Sequence, residues 1–100
     1  MGKRGMSEYK YRIVESSLFK KTRKLAKKRG LDLTFLYEPI TILAKGEKLP
    51  PKYRDRQLRG KLSEFRECHI KGDWLLVYRI VEDKLILSLH STGTHADLFE

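Results

Sequence analysis

Residues 65 to 99 read FRECHIKGDWLLVYRIVEDKLILSLHSTGTHADLF, and this stretch decides the fold. Runs rich in aliphatic, aromatic and β-branched residues predict three strands within it. Lys71–Gly72 and Glu82–Asp83 separate these runs, and two-residue separators are short enough for antiparallel hairpins. We place the three strands at about residues 64–70, 74–81 and 84–91.

The third of these runs alternates between two kinds of side chain, as expected for a strand with two different faces. We expect its leucine face to pack against helices and the opposite face to be open. The leucine face would comprise Leu85, Leu87 and Leu89, and the open face Ile86, Ser88 and His90.

The chain before this stretch predicts a short strand and two helices. Residues 9–14 alternate apolar with basic side chains, which is typical of a half-buried strand. Apolar residues at helical spacing predict a first helix between residues 16 and 30 and a second between residues 32 and 45. Pro39 lies inside the second pattern, so we expect it to kink or split that helix.

This order of elements predicts the class α+β. We expect a mainly antiparallel sheet with two N-terminal helices packed on one face. One hundred residues are sufficient for one domain, which we place at residues 9–100. Residues 1–8 are polar and basic, and we interpret them as a flexible tail.

The charge balance is strongly basic, with 22 Lys and Arg against 13 Asp and Glu and a net charge of +9. Such an excess favours a polyanionic partner, either nucleic acid or an acidic protein, although a solvated basic surface is the alternative. Part of this excess of basic residues lies on the first predicted helix, where no acidic residue interrupts the cations. They are Lys20, Lys21, Arg23, Lys24, Lys27, Lys28 and Arg29.

A single cysteine, no signal peptide and no membrane-length apolar run predict a soluble cytoplasmic protein without membrane attachment. His69, His90 and His95, with Cys68 or Asp97, lack zinc-like spacing, so we predict no metal site and no cofactor. Cys68 lies within a predicted strand and is better interpreted as a small core residue than as a nucleophile.

Metal-free RNA cleavage is the chemistry that these residue types fit best. A ribose 2′-hydroxyl already lies beside the scissile phosphate, so a protein needs only to align it, move two protons and stabilise charge. Histidine is suited to the proton transfers, and the loop of residues 48–61 offers Arg56, Arg59 and Lys61 for phosphate.

Four motifs also carry a family resemblance. They are YRDRQLRG at residues 53–60, FRECH at 65–69 with DW at 73–74, VY at 77–78, and TGTHADLF at 92–99. In combination they resemble the YafQ branch of the RelE/ParE toxin superfamily, over about residues 11–99, and this resemblance implies a RelE-like small domain. The resemblance implies the toxin of a type II toxin–antitoxin pair, a ribosome-dependent and metal-independent mRNA endonuclease. Its implied partners are a cognate antitoxin, the ribosome and mRNA, and we expect the toxin alone to be monomeric.

The resemblance also implies roles for individual residues. His95 matches the family's general acid, and His69, with Asp73, matches a base or the group that orients it. Asp73 and Trp74 match a functional pair, and Phe99 matches an aromatic residue that stacks on a base. The full set that we predict for RNA or phosphate binding is Arg56, Arg59, Lys61, Arg66, Trp74, His90 and Phe99.

Two positions depart from the family pattern. The family often has histidine where Arg56 stands, and commonly has arginine where Ser91 stands. Arg56 could supply the missing cation and His90 a donor, or this member could be slow.

Two other functions remain open at this point. One is a ParE-like toxin that binds DNA gyrase without cutting RNA, and the other is a basic RNA-binding module. Structural roles are open as well, since Asp73 could form a turn, Trp74 could be core, His95 could cap a turn and Phe99 could pin the tail.

Overall fold

A computed structural model describes residues 9–99, and the predicted tail at residues 1–8 lies outside the described residues. The elements within 9–99 confirm the α+β class. The strands are β1 (Arg12–Glu15), β2 (Arg56–Gln57), β3 (Arg66–Lys71), β4 (Trp74–Val81) and β5 (Ile86–Gly93). The helices are α1 (Ser17–Lys28), α2 (Leu33–Ala44) and α3 (His95–Phe99).

The strands form one sheet in the order β1-β5-β4-β3-β2. β1 pairs parallel with β5, and the other neighbours pair antiparallel. β2 lies in what the sequence predicted to be loop, where two residues pair with β3. The mainly antiparallel sheet is therefore confirmed, and β2 is an addition to it.

α1 and α2 pack on one face of the sheet, as predicted. Ser16 caps α1 by accepting the N–H of Phe19 at 2.9 Å, and Asp32 caps α2 by accepting the N–H of Thr34 at 3.0 Å. Their buried residues join those of β3, β4 and β5 in one core cluster. That cluster includes Phe19, Ala26, Leu36, Ile40, Leu43, Cys68, Leu76, Tyr78, Leu87 and Leu89.

The predicted split of the second helix at Pro39 is wrong, since α2 runs unbroken from Leu33 to Ala44. Proline removes one hydrogen bond of the helix, but Pro39 lies among the buried residues of α2. The burial of that face outweighs the lost bond.

The ends of two strands differ from the prediction for local reasons. β1 begins at Arg12 because the N–H groups of Lys10 and Tyr11 both bond to the carbonyl of Ala44. β5 begins at Ile86 because a 3₁₀ turn at Glu82–Lys84 precedes it and Leu85 is left-handed, with φ of 52°. Leu85 is 48% exposed, so its predicted place on the core face was wrong.

A bulge in β5 changes which side chains share a face. Tyr78 lies opposite Leu89, whereas the preceding Val77 lies opposite Ser91, so His90 is an extra residue in β5. The bulge reverses the alternation beyond it. Ser91 therefore shares a face with Val77, on the side of the sheet away from the helices.

That second face is only partly open, which corrects the prediction of a fully open face. Ile86, Ser88 and His90 are half-buried, as an open face allows. Leu75 and Val77 are almost fully buried, at 0% and 1% exposure. The sheet is covered here because the segment after β2 and helix α3 lie over its end and form a groove with it.

None of the helices within residues 9–99 combines the length and the apolar character needed to span a bilayer.

Candidate functional site

A groove of about 300 Å³ lies where the segment containing β2 meets α3 above the sheet. Four of the predicted site residues line it, namely Arg56, Arg59, His95 and Phe99. Glu67 of β3 lies in the same lining, together with Leu58 and Leu62. Two guanidinium groups, an imidazole, an aromatic ring and a carboxylate thus meet at one site.

Helix α3 positions the imidazole and the aromatic ring, because both lie on it. The rings of His95 and Phe99 have centroids 5.1 Å apart, and Phe99 is 36% exposed. At the start of the helix, the Thr94 N–H donates to Asp97 at 3.0 Å and the Asp97 N–H donates to Thr94 Oγ1 at 3.2 Å. This reciprocal pair caps a helix of only five residues.

Arg29, at the end of α1, fastens this short helix to the rest of the molecule. Its NH1 donates to Asp97 Oδ2 at 2.7 Å. The Arg29 bond is the main cause, and the Thr94 N–H the next, of a lowered pKa of Asp97, from 3.8 to about 2. Gly93 has φ of 156°, and a Cβ there would lie 3.0 Å from Asp97 Oδ2, so a side chain at this position would strain the backbone and displace Asp97.

Asp55 anchors the segment that carries Arg56 and Arg59. It accepts from the hydroxyl of Tyr78 and from Arg66 Nε and NH2 at 3.0 and 2.8 Å. Burial, followed by the Asp55 bond, raises the pKa of Tyr78, so this hydroxyl stays a donor. Arg66 NH1 donates to Gln57 as well, so its predicted phosphate role competes with these internal contacts.

Glu67 is a site residue that the sequence reasoning missed. Its Oε2 accepts from Arg56 Nε at 2.7 Å, and its side chain is only 2% exposed. Its Oε1 is buried without a hydrogen-bond partner among residues 9–99. A usable signal was present, since Glu67 and His69 are two residues apart in a strand and so share a face.

His69, Asp73 and Trp74 lie around the β3–β4 turn, outside the lining of the groove. His69 Nδ1 lies 3.3 Å from the carbonyl oxygen of Gly72. Asp73 and Trp74 line a different cavity, of about 640 Å³, between α1, the start of α2 and the β3–β4 turn. Trp74 is 4% exposed and its Nε1 donates to Thr92 Oγ1 at 2.9 Å, so its ring belongs to the core.

The remaining predicted residues lie at the margins of the site. His90 packs against the Phe65 ring at 4.7 Å, its Nδ1 is 2.9 Å from Ser91 Oγ, and burial lowers its pKa. Ser91 is uncharged and 2% exposed, so this position offers no cation to a phosphate. Lys61 is exposed in the 3₁₀ turn Gly60–Leu62.

Cys68 is a core residue, as predicted. It is fully buried, and burial raises the pKa of its thiol from 9.0 to about 12. The thiolate needed for nucleophilic attack is therefore scarce. Within the part of the chain that the structure describes, no group of three His, Cys, Asp or Glu side chains is placed to hold a metal ion.

Comparisons with known proteins agree with this fold and its motifs. Residues 11–100 match the family described as "Bacterial toxin of type II toxin-antitoxin system, YafQ". The mRNA interferase toxin YafQ of Escherichia coli K12 is 40% identical over 88 residues, which cover 87% of this chain and 94% of that protein.

Two solved structures are similar over almost their whole length. YafQ from E. coli BL21(DE3) superposes with a TM-score of 0.84 at 34% identity, covering 90% of this chain and 99% of the other. The toxin in the E. coli DinJ–YafQ toxin–antitoxin complex superposes with a TM-score of 0.83 at 35% identity, covering 91% and 99%.

Fold, motifs and relatives define the class as a small α+β toxin. This chain belongs to the YafQ family of bacterial type II toxin–antitoxin toxins.

Proposed function

We propose that this toxin is a ribosome-dependent, metal-independent mRNA endonuclease that inhibits translation in the cytoplasm. The observation that carries the proposal is the groove in which His95, Phe99, Arg56 and Arg59 meet. These groups match the needs of RNA cleavage, namely a proton donor, a stacking surface and phosphate ligands. The names of the E. coli relatives, which are mRNA interferase toxins, support the same activity.

The proposed reaction is an internal transfer at phosphorus. The ribose 2′-oxygen forms a bond to phosphorus as its proton leaves, and the bond from phosphorus to the 5′-oxygen breaks. His95 as imidazolium protonates that leaving oxygen. The products are a 2′,3′-cyclic phosphate and a 5′-hydroxyl, so no metal is required to balance the reaction.

The phosphate and the base need separate contacts in this mechanism. Arg56 and Arg59 line the groove and are suited to the charge on phosphorus, with Lys61 and Arg66 further along the same segment. Phe99 is suited to stacking on a base.

His69, with Asp73, is the base that the family resemblance implies. With its Nδ1 proton directed at the carbonyl of Gly72, the ring would keep the lone pair of Nε2 free to accept a proton. Because the attacking 2′-oxygen and the leaving 5′-oxygen meet at one phosphorus, this assignment requires the scissile phosphate to lie between His95 and His69, although His69 is outside the groove lining.

The ribosome and an antitoxin are the proposed partners, and the toxin alone would be a monomer. The groove is too small to hold an RNA strand in the reactive geometry by itself, so a ribosome would present the codon in that geometry. A complex of the related E. coli toxin with its antitoxin DinJ supports an antitoxin partner.

Replacing His95 by Ala tests the proposal directly. In a translating extract the wild type should generate new mRNA ends clustered within codons in frame, and purified RNA should be cut poorly. His95→Ala should lower the cleavage rate by about 10²- to 10⁴-fold, because it removes the proton donor. Lys84→Ala, an exposed change in the Glu82–Lys84 turn, is the matched control.

The same variants separate the alternatives. Growth inhibition should disappear with His95→Ala and persist with Lys84→Ala. A gyrase-binding toxin or a plain basic module would still inhibit growth without His95. Cleavage of purified RNA as fast as translated mRNA would instead contradict dependence on the ribosome.

A further inference from the structure

Arg56 and Glu67 form an ion pair with unusual one-sided geometry. Arg56 reaches Glu67 through Nε alone, at 2.7 Å from Oε2. A paired guanidinium and carboxylate usually form two parallel bonds. In this pair neither NH1 nor NH2 of Arg56 has a hydrogen-bond partner within residues 9–99, and Glu67 Oε1 has none either.

Burial differs sharply between the two partners. The side chain of Glu67 is 2% exposed and that of Arg56 is 58% exposed. A buried carboxylate oxygen without a partner destabilises the folded state, so stability alone would favour the two-bond arrangement. The arrangement found leaves both terminal NH2 groups of Arg56 without a partner among residues 9–99, in a side chain that lines the open groove.

The sheet explains why Glu67 can hold this position. Arg56 in β2 is the register partner of Glu67 in β3, and Glu67 is the partner of Val77 in β4. Val77 in turn lies opposite Ser91 in β5. Arg56 therefore lies at one end of a row of strand partners, and the serine that departs from the family pattern lies at the other.

From this geometry we infer that Glu67 is a positioning residue, which holds Arg56 by Nε so that both terminal nitrogens face the scissile phosphate. The inference rests on the proposed endonuclease function and assigns a role to a residue outside the predicted site. Charge stabilisation at phosphorus then comes from β2, where Arg56 lies, and not from position 91 in β5. A lysine at position 56 would keep the charge, but all its donors share one nitrogen, so it could not bond Glu67 and present two separate nitrogens to a phosphate.

A double-mutant cycle tests this role, with single-turnover cleavage of mRNA on programmed ribosomes as the measurement. Arg56→Ala and Glu67→Leu should each lower the cleavage rate by about 10²-fold, the lower end of the effect of one donor to a developing charge. The double variant should be no slower than either single variant, because Glu67 acts only through Arg56. Ribosome affinity, measured by co-sedimentation, should change by less than about threefold.

Conservative variants refine the cycle. Glu67→Gln keeps an oxygen that can accept from Arg56 Nε and should retain more activity than Glu67→Leu. Arg56→Lys should resemble Arg56→Ala in rate. Glu67→Leu should fold, since it replaces a buried carboxylate by an apolar side chain. Should it not fold, the cycle of Glu67→Gln with Arg56→Ala measures the same coupling.

Different outcomes would contradict the positioning role of Glu67 and the endonuclease function on which it rests. The positioning role would be overturned if Glu67→Leu cleaved mRNA at the wild-type rate. It would also be overturned if the loss of rate in the double variant were the product of the losses in the two single variants. If the wild type produces no new RNA ends on programmed ribosomes, the endonuclease proposal itself fails.

Discussion

At the residue scale, burial decides the chemistry of Cys68. Its position in a strand predicted a core residue, and the structure confirms this with a thiol that is fully buried. Burial raises the pKa of this thiol to about 12, so the thiolate is scarce at the pH of ordinary labelling reactions. The alternation of the sequence was sufficient to predict this role, because a small apolar side chain becomes a core residue through its place in the strand and not through one distant partner.

Native Cys68 should therefore resist alkylation. In iodoacetamide labelling near pH 8, followed by mass spectrometry, the folded protein should remain unmodified while the unfolded protein reacts fully. The expected reason is both the small thiolate fraction and the lack of access. Labelling of the folded protein at the rate of a free cysteine would show that β3 opens readily.

Glu67 shows the opposite case, in which the sequence was not sufficient. Alternation places Glu67 on the same strand face as His69, but it does not show that Glu67 meets Arg56, which is eleven positions away along the chain. Their pairing depends on the register of the two-residue strand β2, which lies in a segment that the sequence predicted to be loop. No periodicity identifies a strand of two residues.

At the element scale, the docking of α3 controls where His95 and Phe99 lie. A five-residue helix is not stable alone, so its caps and its ion pair with Arg29 must hold it. The motif TGTH was recognised from the sequence, but Arg29 was interpreted only as part of a basic face. The structure instead commits Arg29 to Asp97 and Arg23 to Glu15.

Asp97→Asn should loosen α3 and lower mRNA cleavage several-fold, with ribosome binding retained. The folded-state pKa of Asp97 is depressed from 3.8 to about 2, so its stabilising effect is complete above about pH 4. That effect is lost as the pH falls through about 2. The difference in unfolding free energy between wild type and Asp97→Asn should therefore be constant from pH 7 to about pH 5 and shrink towards pH 2.

Asp83→Asn is the control for that comparison, since Asp83 is exposed in the turn before β5. It should alter neither cleavage nor the pH dependence of stability. An equal loss of cleavage in both variants would argue that general charge, and not the docking of α3, explains the effect of Asp97.

At the scale of the whole molecule, the chain carries a net charge of +9. Five exposed cations of α1 have no ion-pair partner among the described residues. They are Lys20, Lys21, Lys24, Lys27 and Lys28. This surface is separate from the groove and is suited to a polyanion.

Ribosome association should consequently depend steeply on salt. If about six to ten phosphates are contacted, the affinity should fall by about 10³- to 10⁵-fold between about 50 and 200 mM salt. Lys24→Glu with Lys27→Glu should weaken binding and flatten this dependence in co-sedimentation, whereas Lys84→Glu should not. A salt-independent affinity would exclude the basic surface as the main contact.

The sequence alone determined the class of fold, both long helices, the three main strands and the motif residues of α3. The fold class, helices and strands follow from local periodicity and capping residues, which act between residues near each other in the chain, whereas the motif residues of α3 follow from the family resemblance. Only the tertiary structure decided that Glu67 holds Arg56, that Arg29 fastens α3, and that Trp74 and Asp73 line a different cavity from His95. Strand register and the bulge at His90 bring these distant residues together or keep them apart, and neither is encoded in a local pattern.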